Sequence, residues 1–155
     1  MTMHWPGRAV DMVEFVDTRT AAPRGAFMEK RVVPTPGIGG PKSPYSLAVA
    51  AGDLLFISGQ VPMKPDGTAV KGDFEAEARQ ALDNVKAVLE AAGSGLPHVV
   101  KVLVFLSDMD KFGAFNEIYK EYFMEERPAR SCIQAGRLPF DFQVEVECVA
   151  VLPRR

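Results

Sequence analysis

Between Asp73 and Gly93 the apolar residues Phe74, Ala78, Ala81, Leu82, Val85, Val88, Leu89 and Ala92 recur every three or four positions. This spacing predicts one amphipathic helix with its stripe turned to a core. Asp73 is placed to cap the first turn, Glu75 and Glu77 favour the positive end of the helix, and Gly93 supplies the stop. A second stripe at the same period, Phe112, Phe115, Tyr119, Tyr122 and Phe123, predicts a helix capped by Asp108 or Asp110 and ending near Glu126. Residues 98–106, apolar throughout except for Lys101 in their middle and His98 at their start, have the pattern of a central strand buried on both faces.

Elsewhere the period is two. Residues 142–152 put Phe142, Val144, Val146, Cys148 and Ala150 on one face and Gln143, Glu145 and Glu147 on the other. Upstream, Pro128 can end the second helix, and from there Arg130, Cys132 and Gln134 alternate with Ala129, Ser131, Ile133 and Ala135. Turn chemistry over residues 136–141 joins these two runs, which predicts a hairpin-like pair carrying an arginine and a carboxylate. Residues 28–33 predict a first strand, and residues 46–50 and 54–58 flank Ala51-Gly52-Asp53 as a hairpin. Residues 34–44, rich in proline and glycine, form a loop that delivers Tyr45, and Pro65-Asp66-Gly67 marks a further turn. Before Met28 no period is sustained. The element order predicts an α+β domain with two helices on one face of a mixed sheet. A second subunit should then cover the other face.

At 155 residues the chain is one domain by length, with enough residues to bury a core without covalent staples. Its 18 basic and 20 acidic residues leave a net charge of -2, so there is no electrostatic footprint for nucleic acid or an anionic membrane. No apolar run is long enough to span a bilayer. Two cysteines on predicted strands, Cys132 and Cys148, point to reduced thiols and a cytoplasmic setting. Two histidines without metal-ligand spacing, and no CxxC, argue against a metal site.

Taken singly, the polar strand residues have ordinary explanations beside functional ones. Arg130 fits an ion pair with a glutamate on a neighbouring strand as well as it fits a carboxylate ligand. Glu145 fits a solvated or salt-bridged sheet position, and Cys132 a small core position. Neither His4 nor His98 is placed to activate that thiol, which disfavours acyl or thioester chemistry. Ser58, just before Gly59, fits a hydroxyl that closes a turn.

In combination these residues form a signature. Pro128-Ala129-Arg130-Ser131-Cys132, the following Gly136 and Arg137-Leu138-Pro139, and Val144-Glu145-Val146 at this spacing resemble the RidA/YjgF family of enamine/imine deaminases, formerly described as endoribonuclease L-PSP. Two further stretches match in order. They are Leu55-Phe56-Ile57-Ser58-Gly59-Gln60-Val61-Pro62, and Gln80-Ala81-Leu82-Asp83-Asn84-Val85-Lys86 with Glu90-Ala91-Ala92-Gly93. The resemblance runs from about residue 28 to about residue 153. It divides the chain into an N-terminal extension, 1–27, and a RidA-like domain, 28–155.

The resemblance implies a chorismate-mutase-like fold, with three subunits packing their sheets into a barrel-like core and a cleft at each interface. The implied activity is hydrolysis of 2-imino acids, formed from 2-enamino acids, to 2-keto acids and ammonia, without cofactor or metal. By the same resemblance Arg130 holds the substrate carboxylate and Glu145 orients the attacking water. Ser58 and Tyr45 line the cleft opposite the arginine, Asn116 matches a helix position near it, and Cys132 shapes the pocket or helps hold a water. Ser43 departs from the glycine usual before Pro-Tyr, and Phe140 and Phe142 are larger than the residues common in their loop. They either pack in the core or reshape the pocket. Two other readings stand beside this one: a trimer that binds small carboxylates as a regulator without turnover, and a ribonuclease, against which the acidic balance weighs.

Overall fold

The computed structural model describes residues 28–36, 38 and 44–153. The expected N-terminal extension lies outside them. Eight elements follow in order: β1 (Lys30–Val32), β2 (Ala48–Ala51), β3 (Leu54–Gln60), α1 (Phe74–Ala91), β4 (Val99–Leu106), α2 (Phe112–Tyr122), β5 (Ala129–Gln134) and β6 (Val144–Val151). The strands form one sheet in the order β1-β2-β3-β6-β4-β5, antiparallel throughout except that β4 and β5 run parallel. This is the α+β architecture expected from the sequence, with a six-stranded mixed sheet and two helices.

α1 is built as its sequence dictates. The Asp73 carboxylate accepts from the Ala76 N–H at 2.8 Å, and the stripe from Phe74 to Leu89 is buried. On the sheet, alternate residues meet that stripe: Leu55 and Ile57 of β3, Val102, Val104 and Leu106 of β4, and Val144, Val146, Cys148 and Ala150 of β6. α2 adds Phe115, Ile118 and Tyr119 to the same core. Outside the core, Arg79 of α1 pairs with Glu121 of α2, and the Tyr122 hydroxyl donates to Asp83 at 2.8 Å. A second kind of tie is internal. Glu77, 1% exposed, accepts from the Gly72 N–H (3.0 Å), the Gln143 N–H (2.8 Å) and the Gln143 side-chain amide (2.9 Å), fastening α1 to the segment that opens β6.

Three expectations need correction. The hairpin-like pair of β5 and β6 does not exist, because β4 lies between them. β5 is an edge strand, reached from β4 through α2, and parallel neighbours need such a crossover. β4 is also not buried on both faces: Val102, Val104 and Leu106 are buried, but Val100 and Lys101 are exposed and Leu103 and Phe105 only half-buried. Finally, α2 ends at Tyr122, four residues before Glu126, after a short 3-10 turn capped by Asp108. Phe123 turns into the core, its carbonyl accepts from Arg127 Nε at 3.0 Å, and Glu126 takes a positive φ of 45°.

The face away from the helices carries Leu54, Phe56, Phe105, Ile133, Glu145 and Glu147. Leu54, Phe56 and Ile133 are 38%, 44% and 47% exposed, an apolar surface on an otherwise well-packed sheet.

Candidate functional site

The register of the sheet decides which polar side chains can meet. Arg130 of β5 stands beside Val102 of β4, which stands beside Cys148 of β6, and this row faces the helices. Ile133, Phe105 and Glu145 form the corresponding row on the open face. Within one chain Arg130 and Glu145 are therefore on opposite sides of the sheet.

On the helix side, Arg130 Nη2 donates to Asn116 Oδ1 at 2.6 Å. The guanidinium carbon is 4.5 Å from the ring centroid of Tyr119, 5.6 Å from Phe112 and 5.9 Å from Phe115. These rings belong to the aromatic stripe of α2, which recurs every three or four residues and so presents one wall to the edge strand. An arginine over aromatic faces is held by its quadrupolar partners while its outward N–H groups keep their donors. Cys132, two residues along on the same face, is half-buried, and that burial pushes its thiol up despite the offsetting charge of Arg130. A thiol raised in this way is a poor nucleophile. Cys148 is raised further, to about 12, first by burial and then by Glu147, and both cysteines are free.

On the open side, β3 carries an irregularity between Ile57 and Gln60, where three steps along β3 match two along β6. Such bulges re-aim side chains. Ser58 lies in it and donates from Oγ to the Ser46 carbonyl at 2.7 Å, tying β3 to the loop that brings Tyr45. Glu145 folds against Gly59, and burial, followed by the like charge of Glu147, holds its carboxyl above the usual range. Tyr45, Leu47, Gly59, Met63 and Phe140 border a cavity of about 430 Å³ at this end of the sheet.

The sequence-predicted residues thus fall into two sets. Arg130, Asn116 and Cys132 are together on the helix side at the β5 edge; Glu145 and Ser58 are on the open side, with Tyr45 at the neighbouring cavity. Phe142 is core, 1% exposed, whereas Phe140 is 66% exposed on a turn with φ 56° and borders the cavity. Sequence reasoning missed two features: the aromatic wall beneath Arg130, whose signal was the spacing of Phe112, Phe115 and Tyr119, and the contact of Glu145 with Gly59, which has no local signal. Among the described residues no cluster of His, Cys, Asp or Glu could hold a metal ion. No helix there is long and apolar enough to cross a membrane.

The profile of the family described as Endoribonuclease L-PSP matches residues 39–152. The chain belongs to this family, also called RidA/YjgF. A RutC family protein of Pyrococcus horikoshii is 48% identical over 122 residues, covering 78% of this chain and 97% of that one. TdcF of Escherichia coli, whose name describes a reactive intermediate deaminase, is 38% identical over 125 residues, covering 79% of this chain and 97% of its own length. Its crystal structure with bound serine superposes with a TM-score of 0.70 at 37% identity, covering 83% and 99% of the two chains. The YjgF gene product of E. coli gives a TM-score of 0.72 at 38% identity, over 82% of this chain and all of that one. RidA/YjgF members named in this way make the chain one of a family of reactive intermediate deaminases.

Proposed function

We propose that this protein is an enamine/imine deaminase that hydrolyses 2-imino acids to 2-keto acids and ammonia at a cleft between two copies of the chain. The observation that carries the reading is the division of the site: the arginine set and the glutamate set are each well built, yet they stand on opposite faces of one sheet. A second copy laid on the open apolar face can bring the β5 edge of one subunit to the Glu145 face of the next. Closed cyclic assemblies are the common way to repeat such a contact, and a homotrimer closes it.

In that cleft Arg130, stacked on Tyr119 and fixed by Asn116, offers a planar fork to the substrate carboxylate. Anchoring the carboxylate places the imine carbon, and what remains is positioning of a water. The oxygen of that water bonds to the imine carbon as Glu145 takes one of its protons. The C=N π pair moves to nitrogen, which Glu145 protonates to give the carbinolamine; Glu145 then takes the hydroxyl proton and delivers it to the same nitrogen as the C=O forms and the C–N bond breaks, releasing neutral ammonia. A carboxyl raised by burial and by Glu147 is suited to exchanging protons nearer neutrality than an exposed glutamate. Cys132 shapes the arginine side, and the route uses no cofactor. A net charge of -2 supplies no basic surface for RNA, which weighs against the ribonuclease reading.

The test is to generate 2-aminoacrylate in situ, let it tautomerise to 2-iminopropanoate, and follow pyruvate and ammonia with and without the protein. Faster release of both is expected. An unchanged rate, with a keto-acid analogue nonetheless bound through Arg130, would instead favour the regulatory carboxylate-binding trimer. Light scattering that returns a stable monomer at micromolar concentration would remove the cleft.

A further inference from the structure

We infer that Gly59 is a positioning residue for Glu145: its missing side chain is the space in which the carboxylate is held. A Cβ built on Gly59 would come within 1.9 Å of Glu145 Oε1, 2.8 Å of Cδ and 3.1 Å of Cγ, and these three are its nearest neighbours. The nearest obstacles to a side chain there all belong to this one residue. Gly52, Gly67, Gly72 and Gly93 have positive φ, which disfavours other residues, but the Gly59 backbone lies outside that region. Alanine is conformationally acceptable at Gly59. The closest atoms in its way are those of Glu145.

The bulge explains how the two residues come together. One extra residue of β3 between Ile57 and Gln60 turns the Gly59 backbone toward the open face of β6, and Glu145 lies along it. Backbone on one side removes water and rotamer freedom from the carboxylate, in keeping with burial as the leading cause of its raised pKa. The charged groups on this face of the adjoining strands are Glu147 of β6 and Lys101 of β4. Lys101 is opposite Val149 and donates to Ser131 Oγ at 2.8 Å, so it is engaged away from Glu145. β3 contributes no charge to the face. The clashing atom is the far end of a flexible side chain, so an added methyl should push the carboxylate aside without unfolding the strand. Stability and function should then separate.

The inference rests on the role given above to Glu145, and its test keeps the two apart. Gly59→Ala should fold and assemble with a thermal midpoint near that of the parent. Its kcat on 2-iminopropanoate should fall roughly 10²-fold, as expected for a group displaced by about 1 Å, with KM little changed because Arg130 still holds the carboxylate. The Glu145 carboxyl, followed by 13C NMR, should titrate closer to an ordinary glutamate than in the parent. In a Glu145→Gln background the glycine change should add no further loss of kcat, since Gly59 acts through the carboxylate. Parent-like turnover and parent-like titration of Glu145 in Gly59→Ala would overturn the inference, as would an equal additional loss in the glutamine background. If Gly59→Ala fails to fold, Gly59→Ala/Glu145→Ala, which removes the carboxylate together with the Cγ and Cδ that meet the methyl, must recover; continued failure also overturns it. If the parent itself lacks deaminase activity the proposed function fails, while the NMR titration still reads the contact between Gly59 and Glu145.

Discussion

Replacing Glu77 tests whether a buried carboxylate fastens α1 to the start of β6. It accepts from two backbone N–H groups, of Gly72 and Gln143, and from the Gln143 side chain, and is 1% exposed. Glu77→Ala orphans all three donors. At about 1–3 kcal/mol for each buried group left unpaired, less what entering water restores, the loss should be about 3–5 kcal/mol. Glu77→Gln keeps one oxygen able to serve the donors on Oε1, but turns an NH2 toward the Gln143 N–H, so about 1–3 kcal/mol is expected. At about 2–4 °C per kcal/mol for a chain of this size, the alanine variant should melt about 6–20 °C lower and the glutamine variant between it and the parent. Scans at equal chain concentration keep assembly from contributing a difference. Hydrogen exchange supplies the local check, with the Gly72 and Gln143 amides losing protection first. An alanine variant melting within about 2 °C of the parent would refute the reasoning, and would mean that the backbone bond from the Ser107 N–H to the Gln143 carbonyl, 3.0 Å long, suffices to hold the segment.

Arg130→Lys keeps the charge but loses both the planar fork and the stacking on Tyr119, so kcat/KM on a 2-imino acid should drop roughly 10- to 100-fold, with apparent affinity and turnover both affected. Glu145→Gln should cost roughly 10²-fold or more in kcat with a modest change in carboxylate binding. The same variant should be more heat-stable than the parent at pH 7. A carboxyl whose folded pKa is raised destabilises the fold once it ionises, so the advantage should vanish as pH falls below the ordinary value of 4.5. Paired thermal scans at pH 7 and pH 4 check this, and an equal advantage at both would exclude the charge as its cause. Mixing Arg130→Ala with Glu145→Gln chains, each inactive alone, should restore about a quarter of the parent activity after subunit exchange, because a random assembly pairs an intact arginine with an intact glutamate in about one cleft in four. No recovery would place both residues in the same chain's site.

α1 was readable to within a residue or so because its determinants are local: the Asp73 carboxylate, the stripe and Gly93 all act within a few turns. The two faces of β6 were readable for the same reason, since alternation alone fixes which residues point together. Alternation says nothing about neighbours. The turn residues between β5 and β6 look the same whether the chain returns alongside or crosses over a strand, and only the apolar β4, which needs a partner on each edge, separates the alternatives. The candidate residues Arg130 and Glu145 could be named from the resemblance of their motifs to the RidA/YjgF signature, but not their separation by a sheet, which depends on that long-range pairing. Phe140 and Phe142 show the limit most sharply. Two residues apart in one loop, they part company because left-handed backbone at Phe140 and Asp141 turns one ring outward while the other closes the core.

Placing the arginine and the glutamate on opposite faces has a consequence for how activity varies with abundance. In the proposed reading each chain, once folded, carries an arginine half-site and a glutamate half-site that cannot meet within it, whatever the concentration, with Arg130 already braced by its own helix. Each half-site would then be completed only by a neighbour, so specific activity should be constant when the protein is plentiful and should fall steeply on dilution below the assembly range. The fold itself then acts as a threshold on expression, leaving sparse subunits folded but silent.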